Sequence, residues 1–165
     1  MTQNFKAIVI DNQNEKFSRA IKDLKTSDLK DGNVLIKIDY SSLNYKDALI
    51  LKDGGKIVRK FPFVPGIDFS GKVVESGDDK FKKDETVICT GFRVGEMYYG
   101  GFSQYAKVDS NFLIKNPKNI DAEQSMMLGT AGFTALQCSF AIKAREELLL
   151  GEKVNDVLVT GATGG

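Results

Sequence analysis

Val157-Leu158-Val159-Thr160-Gly161-Ala162-Thr163-Gly164-Gly165, VLVTGATGG, reads as a buried strand running into a glycine-rich turn. A short apolar run followed by clustered glycines is how a dinucleotide-binding βαβ unit opens. The turn brings backbone N–H groups to a pyrophosphate, and the next helix aims its positive end at it. The 165 residues include neither that helix nor the later acidic or basic residue that chooses between nicotinamide cofactors. An ordinary strand-to-helix turn is the alternative reading.

Upstream of this run, the first two thirds read as short strands separated by turn signals, the pattern of a small barrel or sandwich. The expected strands are Phe5 to Asp11, Asn33 to Tyr40, Phe69 to Ser76, Glu85 to Gly91, Phe102 to Val108 and Phe112 to Lys115. Val34, Ile36 and Ile38 alternate with Leu35, Lys37 and Asp39, which gives that strand one buried face. A helix is expected after Leu43, with Asn44 as N-cap, Asp47 in its first turn, and Ala48, Leu49 and Leu51 facing inward. A second helical region starts near Asp121, where Gln124 completes a capping-box spacing. It carries Met126, Met127, Leu128, Phe133, Leu136 and Phe140 towards Arg145, and Gly129 and Gly132 predict a bend or two helices. A turn through Gly151 and a strand from Asp156 to Thr160 follow. The organisation is a β domain over 1–120, connecting helices and turn over 121–155, and the opening of an α/β unit over 156–165.

With 165 residues, 42% of them hydrophobic and 27% charged, the chain has an ordinary globular composition. A net charge of +1 gives no argument for a nucleic-acid or membrane partner. No segment approaches the roughly 20 apolar residues of a membrane helix, and the N-terminus lacks a secretory layout, so a cytoplasmic protein is expected. Cys89 and Cys138 are then read as reduced thiols. The sequence contains no histidine. That removes the usual general base, excludes Ser-His-Asp and Cys-His catalysis within this chain, and takes away the commonest zinc ligand.

Four further segments carry candidate chemistry, each with a structural alternative. In Ser41-Ser-Leu-Asn-Tyr-Lys-Asp-Ala-Leu49, the residues Asn44, Tyr45, Lys46 and Asp47 either line a cleft or form a helix start. Phe61-Pro-Phe-Val-Pro-Gly-Ile-Asp-Phe-Ser-Gly71 is a rigid connection into a strand, with Asp68 as a buried carboxylate that needs hydrogen-bond donors. Gly129-Thr-Ala-Gly-Phe-Thr-Ala135 brings a helix close either to a ligand, through Thr130 or Thr134, or to another helix. Tyr98 and Tyr99 beside Gly100-Gly101 form either a loop over a cleft or a packed hairpin.

In this order the segments SSLNYKDAL, GKIVRKFPFVPGIDFSG, GEMYYGGFSQYAKV, GTAGFTAL and VLVTGATGG resemble the medium-chain dehydrogenase/reductase superfamily. Within it they are most similar to the zinc-free quinone oxidoreductase-like branch and its acrylyl-CoA reductase group. The resemblance implies a mainly β GroES-like β-barrel domain with helices, followed by the first strand of a truncated Rossmann α/β domain, and a parent chain about twice as long. It implies NADPH as cofactor, bound between the two domains, and a homodimer for the full-length parent. In zinc-dependent relatives a cysteine stands near the position of Asn44 and Tyr45, a His-Glu pair at Ile67-Asp68, and another cysteine near Thr130. None of those side chains is present, and no metal is expected.

The reaction implied is NADPH-dependent hydride transfer to the β-carbon of an activated C=C bond, with an enoyl thioester of the acrylyl-CoA type as small-molecule substrate. A quinone or other α,β-unsaturated carbonyl is the alternative acceptor. Tyr45, Thr134, Thr163, Gly164 and Gly165 match cofactor-contacting positions, Thr130 is a further candidate cofactor contact, and Asn44, Tyr45 and Asp47 are the candidates for positioning substrate and cofactor. The reading from another class is a truncated or non-catalytic GroES-like module with no activity as it stands. Loss of the helix after Gly165 would then remove most cofactor affinity. Without a Rossmann sheet to cover it, the helical region after Asp121 is expected to expose Met, Leu and Phe side chains.

Overall fold

A computed structural model of the chain describes residues 2–13, 16–148, 154 and 156–161. In chain order the elements are β1 (Asn4–Gln13), β2 (Lys16–Lys25), β3 (Val34–Tyr40), α1 (Tyr45–Asp53), β4 (Asp68–Ser76), β5 (Thr86–Thr90), β6 (Tyr105–Val108), β7 (Leu113–Lys115) and α2 (Ala122–Leu148). Alternation along β3 buries Val34 and Ile36 and exposes Lys37, as the sequence predicts. The strand lies inside a five-stranded antiparallel sheet of order β6-β3-β4-β5-β7. Its inner face carries Phe69, Val73, Val87 and Val108 around Val34 and Ile36. β3 and β4 also approach closely at Gly71, where a Cβ would lie 2.2 Å from the Lys37 carbonyl oxygen. Only glycine fits there.

β1 and β2 form a separate two-stranded antiparallel ladder. The sequence reading contains no β2. Residues of Lys16–Lys25 are almost all exposed, and Phe17 and Leu24 alone pack on apolar clusters, which leaves no apolar period to detect. β1 joins the rest through bridges Ala7–Ser103 and Ile10–Phe63. β6 starts later than the expected Phe102, because the Phe102 carbonyl accepts the Ile8 N–H at 2.8 Å. Phe5, Ala7, Val9, Leu29 and Val64 make a second apolar cluster, and Ile10, Ile50, Val58 and Phe63 a third under α1.

In α1 Asp47 and Ile50 are buried and Leu49 and Leu51 partly so, while Ala48 faces solvent instead of inward. α2 opens with the expected reciprocal cap: Asp121 N–H donates to Gln124 Oε1 at 3.0 Å, and Gln124 N–H to Asp121 Oδ1 at 2.8 Å. It bends at Gly129, whose φ of 47° and ψ of −153° are non-helical. By length and composition α2 could cross a bilayer, contrary to the sequence expectation. Its first turns instead bury Ser125 and Met126. Beyond the bend Phe133, Leu136 and Phe140 are half-exposed or more, as expected of an uncovered face.

The expected strand Asp156 to Thr160 does not form: these residues pair with no other segment and are exposed. A strand needs a neighbour for its backbone groups, and no described residue supplies one. Gly151, Thr163, Gly164 and Gly165 lie outside the described residues.

Candidate functional site

Asp68 begins β4 and is fully buried. A buried carboxylate must be matched by donors, and three segments supply them. Asp68 Oδ1 accepts the Ser42 N–H at 3.3 Å and the Ser42 hydroxyl. Asp68 Oδ2 accepts Asn44 Nδ2 at 3.2 Å and the Thr130 N–H at 2.9 Å. The neighbouring Ser41 hydroxyl donates to the Asp68 carbonyl oxygen at 2.7 Å. An ionised carboxylate offers about four acceptor sites, so this one is saturated by its own chain.

The Thr130 N–H is the first of the helix that resumes after the bend. Asp68 therefore acts as an N-cap reaching from another element, and its charge lies at the positive end of the helix. The close fit requires Gly129: a Cβ there would lie 2.5 Å from Ser42 Oγ and 3.0 Å from Asp68 Oδ2.

Asp47 is the second fully buried carboxylate. Its Oδ2 accepts the Asn44 N–H at 2.9 Å and its Oδ1 the Ile67 N–H at 3.0 Å. Burial pushes its pKa above the ordinary 3.8, and the Asp68 charge pushes the same way, while the hydrogen bonds pull it down. Asn44 thus donates its backbone to Asp47 and its side chain to Asp68. Among the described residues, neither carboxylate takes part in an ion pair.

The structure brings together Asn44, Asp47 and Thr130. Tyr45 is beside them in sequence but 81% exposed. Thr134 donates its hydroxyl to the Thr130 carbonyl at 2.9 Å, a bond back along its own helix. Thr130 Oγ1 is buried without a hydrogen-bond partner. The sequence reading missed Ser42 and the Ile67 N–H as members of the network; the signal available was a lone acidic residue in an apolar run. Tyr99 packs edge-on to Phe63 at 5.5 Å and donates to the Pro62 carbonyl at 3.1 Å, which favours the packed-hairpin alternative for that tyrosine.

These residues do not suit a zinc ion. The chain has no histidine, no group of three metal-binding side chains occurs among the described residues, and every acceptor site of Asp68 is engaged. Cys89, on β5 opposite Phe69, is held as a thiol, its pKa pushed up to about 12 by burial and then by the Asp68 charge. Cys89 and Cys138 are both unpaired.

An antiparallel five-stranded sheet, entered by a capped helix and left by a bent one, places the chain with the GroES-like domains of the alcohol dehydrogenases. The chain belongs to the alcohol dehydrogenase GroES-like domain family, whose profile matches residues 30–118. It is 45% identical over 163 residues to acrylyl-CoA reductase AcuI of Ruegeria pomeroyi, covering 98% of this chain and 48% of that protein. It is 41% identical over 165 residues to the candidate quinone oxidoreductase YhfP of Bacillus subtilis, covering 100% of this chain and 49% of the other. The crystal structure of that protein with NAD bound superposes with a TM-score of 0.86 at 36% identity, over 99% of this chain and 49% of that one. The Escherichia coli K-12 YHDH structure with bound NADPH gives a TM-score of 0.80 at 41% identity, over 84% of this chain and 43% of that one. The chain spans about half the length of the curated relatives it matches.

Proposed function

We propose that this chain is the catalytic-domain portion of an NADPH-dependent, zinc-independent reductase acting on the C=C bond of an acrylyl-CoA-type enoyl thioester. The observation that carries the proposal is the saturated Asp68 carboxylate. By the resemblance, Asn44, Asp68 and Thr130, which this network joins, stand at or near positions that carry metal-binding side chains in zinc-dependent relatives, so activation of the acceptor falls to hydrogen-bond donors. The similarity to the Ruegeria acrylyl-CoA reductase supports the choice of substrate.

Thr130 Oγ1, buried and without a partner, is a polar group that a bound nicotinamide amide would satisfy. Tyr45, with its exposed phenol, Thr130 and Thr134 form the cofactor-facing set on this side. Thr163, Gly164 and Gly165, outside the described residues, are the phosphate-binding residues that the resemblance implies. When bound, NADPH supplies the hydride. Asn44 and Asp47 fix the first turn of α1, so that Tyr45 is presented from a rigid element. As charge develops on the thioester oxygen, donors held in place before the reaction stabilise it.

A quinone acceptor is the second reading, favoured by the similarity to YhfP. Assay of the protein containing this chain, extended to the length of its relatives, with acrylyl-CoA and with a quinone separates the two. NADPH oxidation with acrylyl-CoA is expected, and turnover with the quinone alone rejects the thioester reading.

A further inference from the structure

Next to the candidate site, a recess of about 350 Å³ is lined by Arg59, Lys60 and Arg93 with Glu96, over an apolar wall that includes Phe63 and Met97. Among the described residues, none of its three cationic side chains takes part in an ion pair or a side-chain hydrogen bond. Its single acidic side chain is already engaged: Lys46 Nζ lies 2.7 Å from Glu96 Oε1. The charge left over is strongly positive. Lys46 belongs to the first turn of α1, so this ion pair also ties the recess to Asn44, Tyr45 and Asp47.

The loop that presents Arg93 is fixed. Phe92 and Arg93 both have left-handed backbones, with φ of 52° and 63°, a conformation bulky residues seldom adopt. The Arg93 carbonyl accepts N–H groups from Glu96, Met97 and Tyr98 at 3.1, 2.9 and 3.3 Å. A pre-set loop carrying an unpaired guanidinium above a half-apolar recess is suited to a phosphate attached to an organic body, because guanidinium binds phosphate through two parallel hydrogen bonds.

We propose that this recess is the subsite for the phosphate-bearing tail of the coenzyme A thioester, with Arg59 and Arg93 holding phosphate and Lys60 adding charge. The assignment rests on the thioester reading above, and it gives that substrate a handle which a quinone lacks.

Calorimetry of the 165-residue chain with coenzyme A, adenosine 3′,5′-bisphosphate and NADPH tests it. Coenzyme A and the bisphosphate are expected to bind, more weakly as salt rises. Binding should weaken at least tenfold in R59A/R93A and recover in part in R59K/R93K, with thermal unfolding of the variants unchanged. Equal binding by wild type and R59A/R93A, or none at millimolar ligand, overturns the proposal. So does a larger loss for NADPH than for coenzyme A, which would assign the cations to the cofactor. In the extended protein, reduction of acrylyl-CoA with a KM unaffected by R59A/R93A rejects the subsite while the thioester reading stands. Arg-dependent coenzyme A binding without acrylyl-CoA turnover keeps the subsite and rejects that reading.

Discussion

Asp68 Oδ2 accepts the Thr130 backbone N–H at 2.9 Å across 62 residues of sequence, at the point where α2 turns. The same carboxylate holds Ser42 and Asn44, so β4, the entry to α1 and the bend of α2 meet at one side chain. D68N turns an amide NH2 towards donors and leaves at least one buried donor unmatched. Loss of a hydrogen bond to a charged group costs roughly 1.5–3 kcal/mol, and urea unfolding should show a destabilisation of that size. A variant as stable as the wild type would mean that the network contributes little.

Gly129 is the counterpart on the helix. G129A adds a Cβ 2.5 Å from Ser42 Oγ at a φ of 47°. Strain of this kind costs about 1–3 kcal/mol, and the cost should appear as faster amide exchange at Thr130. Unchanged exchange there would contradict the tight fit.

Asp47 makes stability depend on pH in the sense opposite to most carboxylates. Its folded pKa lies above the ordinary 3.8, so the folded state holds the proton more tightly. Between 3.8 and the raised value, its contribution to stability falls as pH rises. Glu85 and Asp78, lowered by hydrogen bonds with Lys115 and Lys80, contribute in the other direction. The wild-type minus D47N stability difference, measured by urea titration from acid to neutral pH, should therefore decline with pH. A difference that grows with pH would show Asp47 to be stabilised as an anion.

The two thiols should separate kinetically. Cys89 is buried with its pKa pushed up to about 12, while Cys138 is exposed. A thiol-reactive chromophore at pH 8 should label Cys138 alone until denaturant is added. Fast release of two equivalents from native protein would place Cys89 within reach of solvent.

Beyond the bend, Phe133, Leu136 and Phe140 are 56%, 50% and 66% exposed. Such a face drives association. Sedimentation should show self-association of this chain that L136E/F140E reduces; a wild-type monomer at high concentration would contradict it.

Much of the fold is legible where burial alternates. β3, β4, β5 and the capped starts of both helices follow from local pattern and cap chemistry, and Gly129 marks the bend. β2 was not legible, because most of its side chains face solvent and only Phe17 and Leu24 pack inward, too far apart to set a period. The terminal apolar run illustrates the reverse case: VLVT has strand composition but no partner strand among the described residues. In the site, Asp68 could be read as a carboxylate in want of donors. Their identity could not, since two of them are main-chain groups, those of Ser42 and Thr130, and a backbone N–H leaves no trace in residue type.

Asn44 gives its main chain to one buried carboxylate and its side chain to the other. Positions 44 and 68, joined side chain to side chain, are consequently not free to drift one at a time. Exchange of Asn44 for a non-donor leaves Asp68 with the Ser42 and Thr130 donors alone, and exchange of Asp68 idles the Asn44 amide. Across descendants of this gene the two positions should change as a pair or not at all, with Asp47 held by the Ile67 main chain whichever pair prevails.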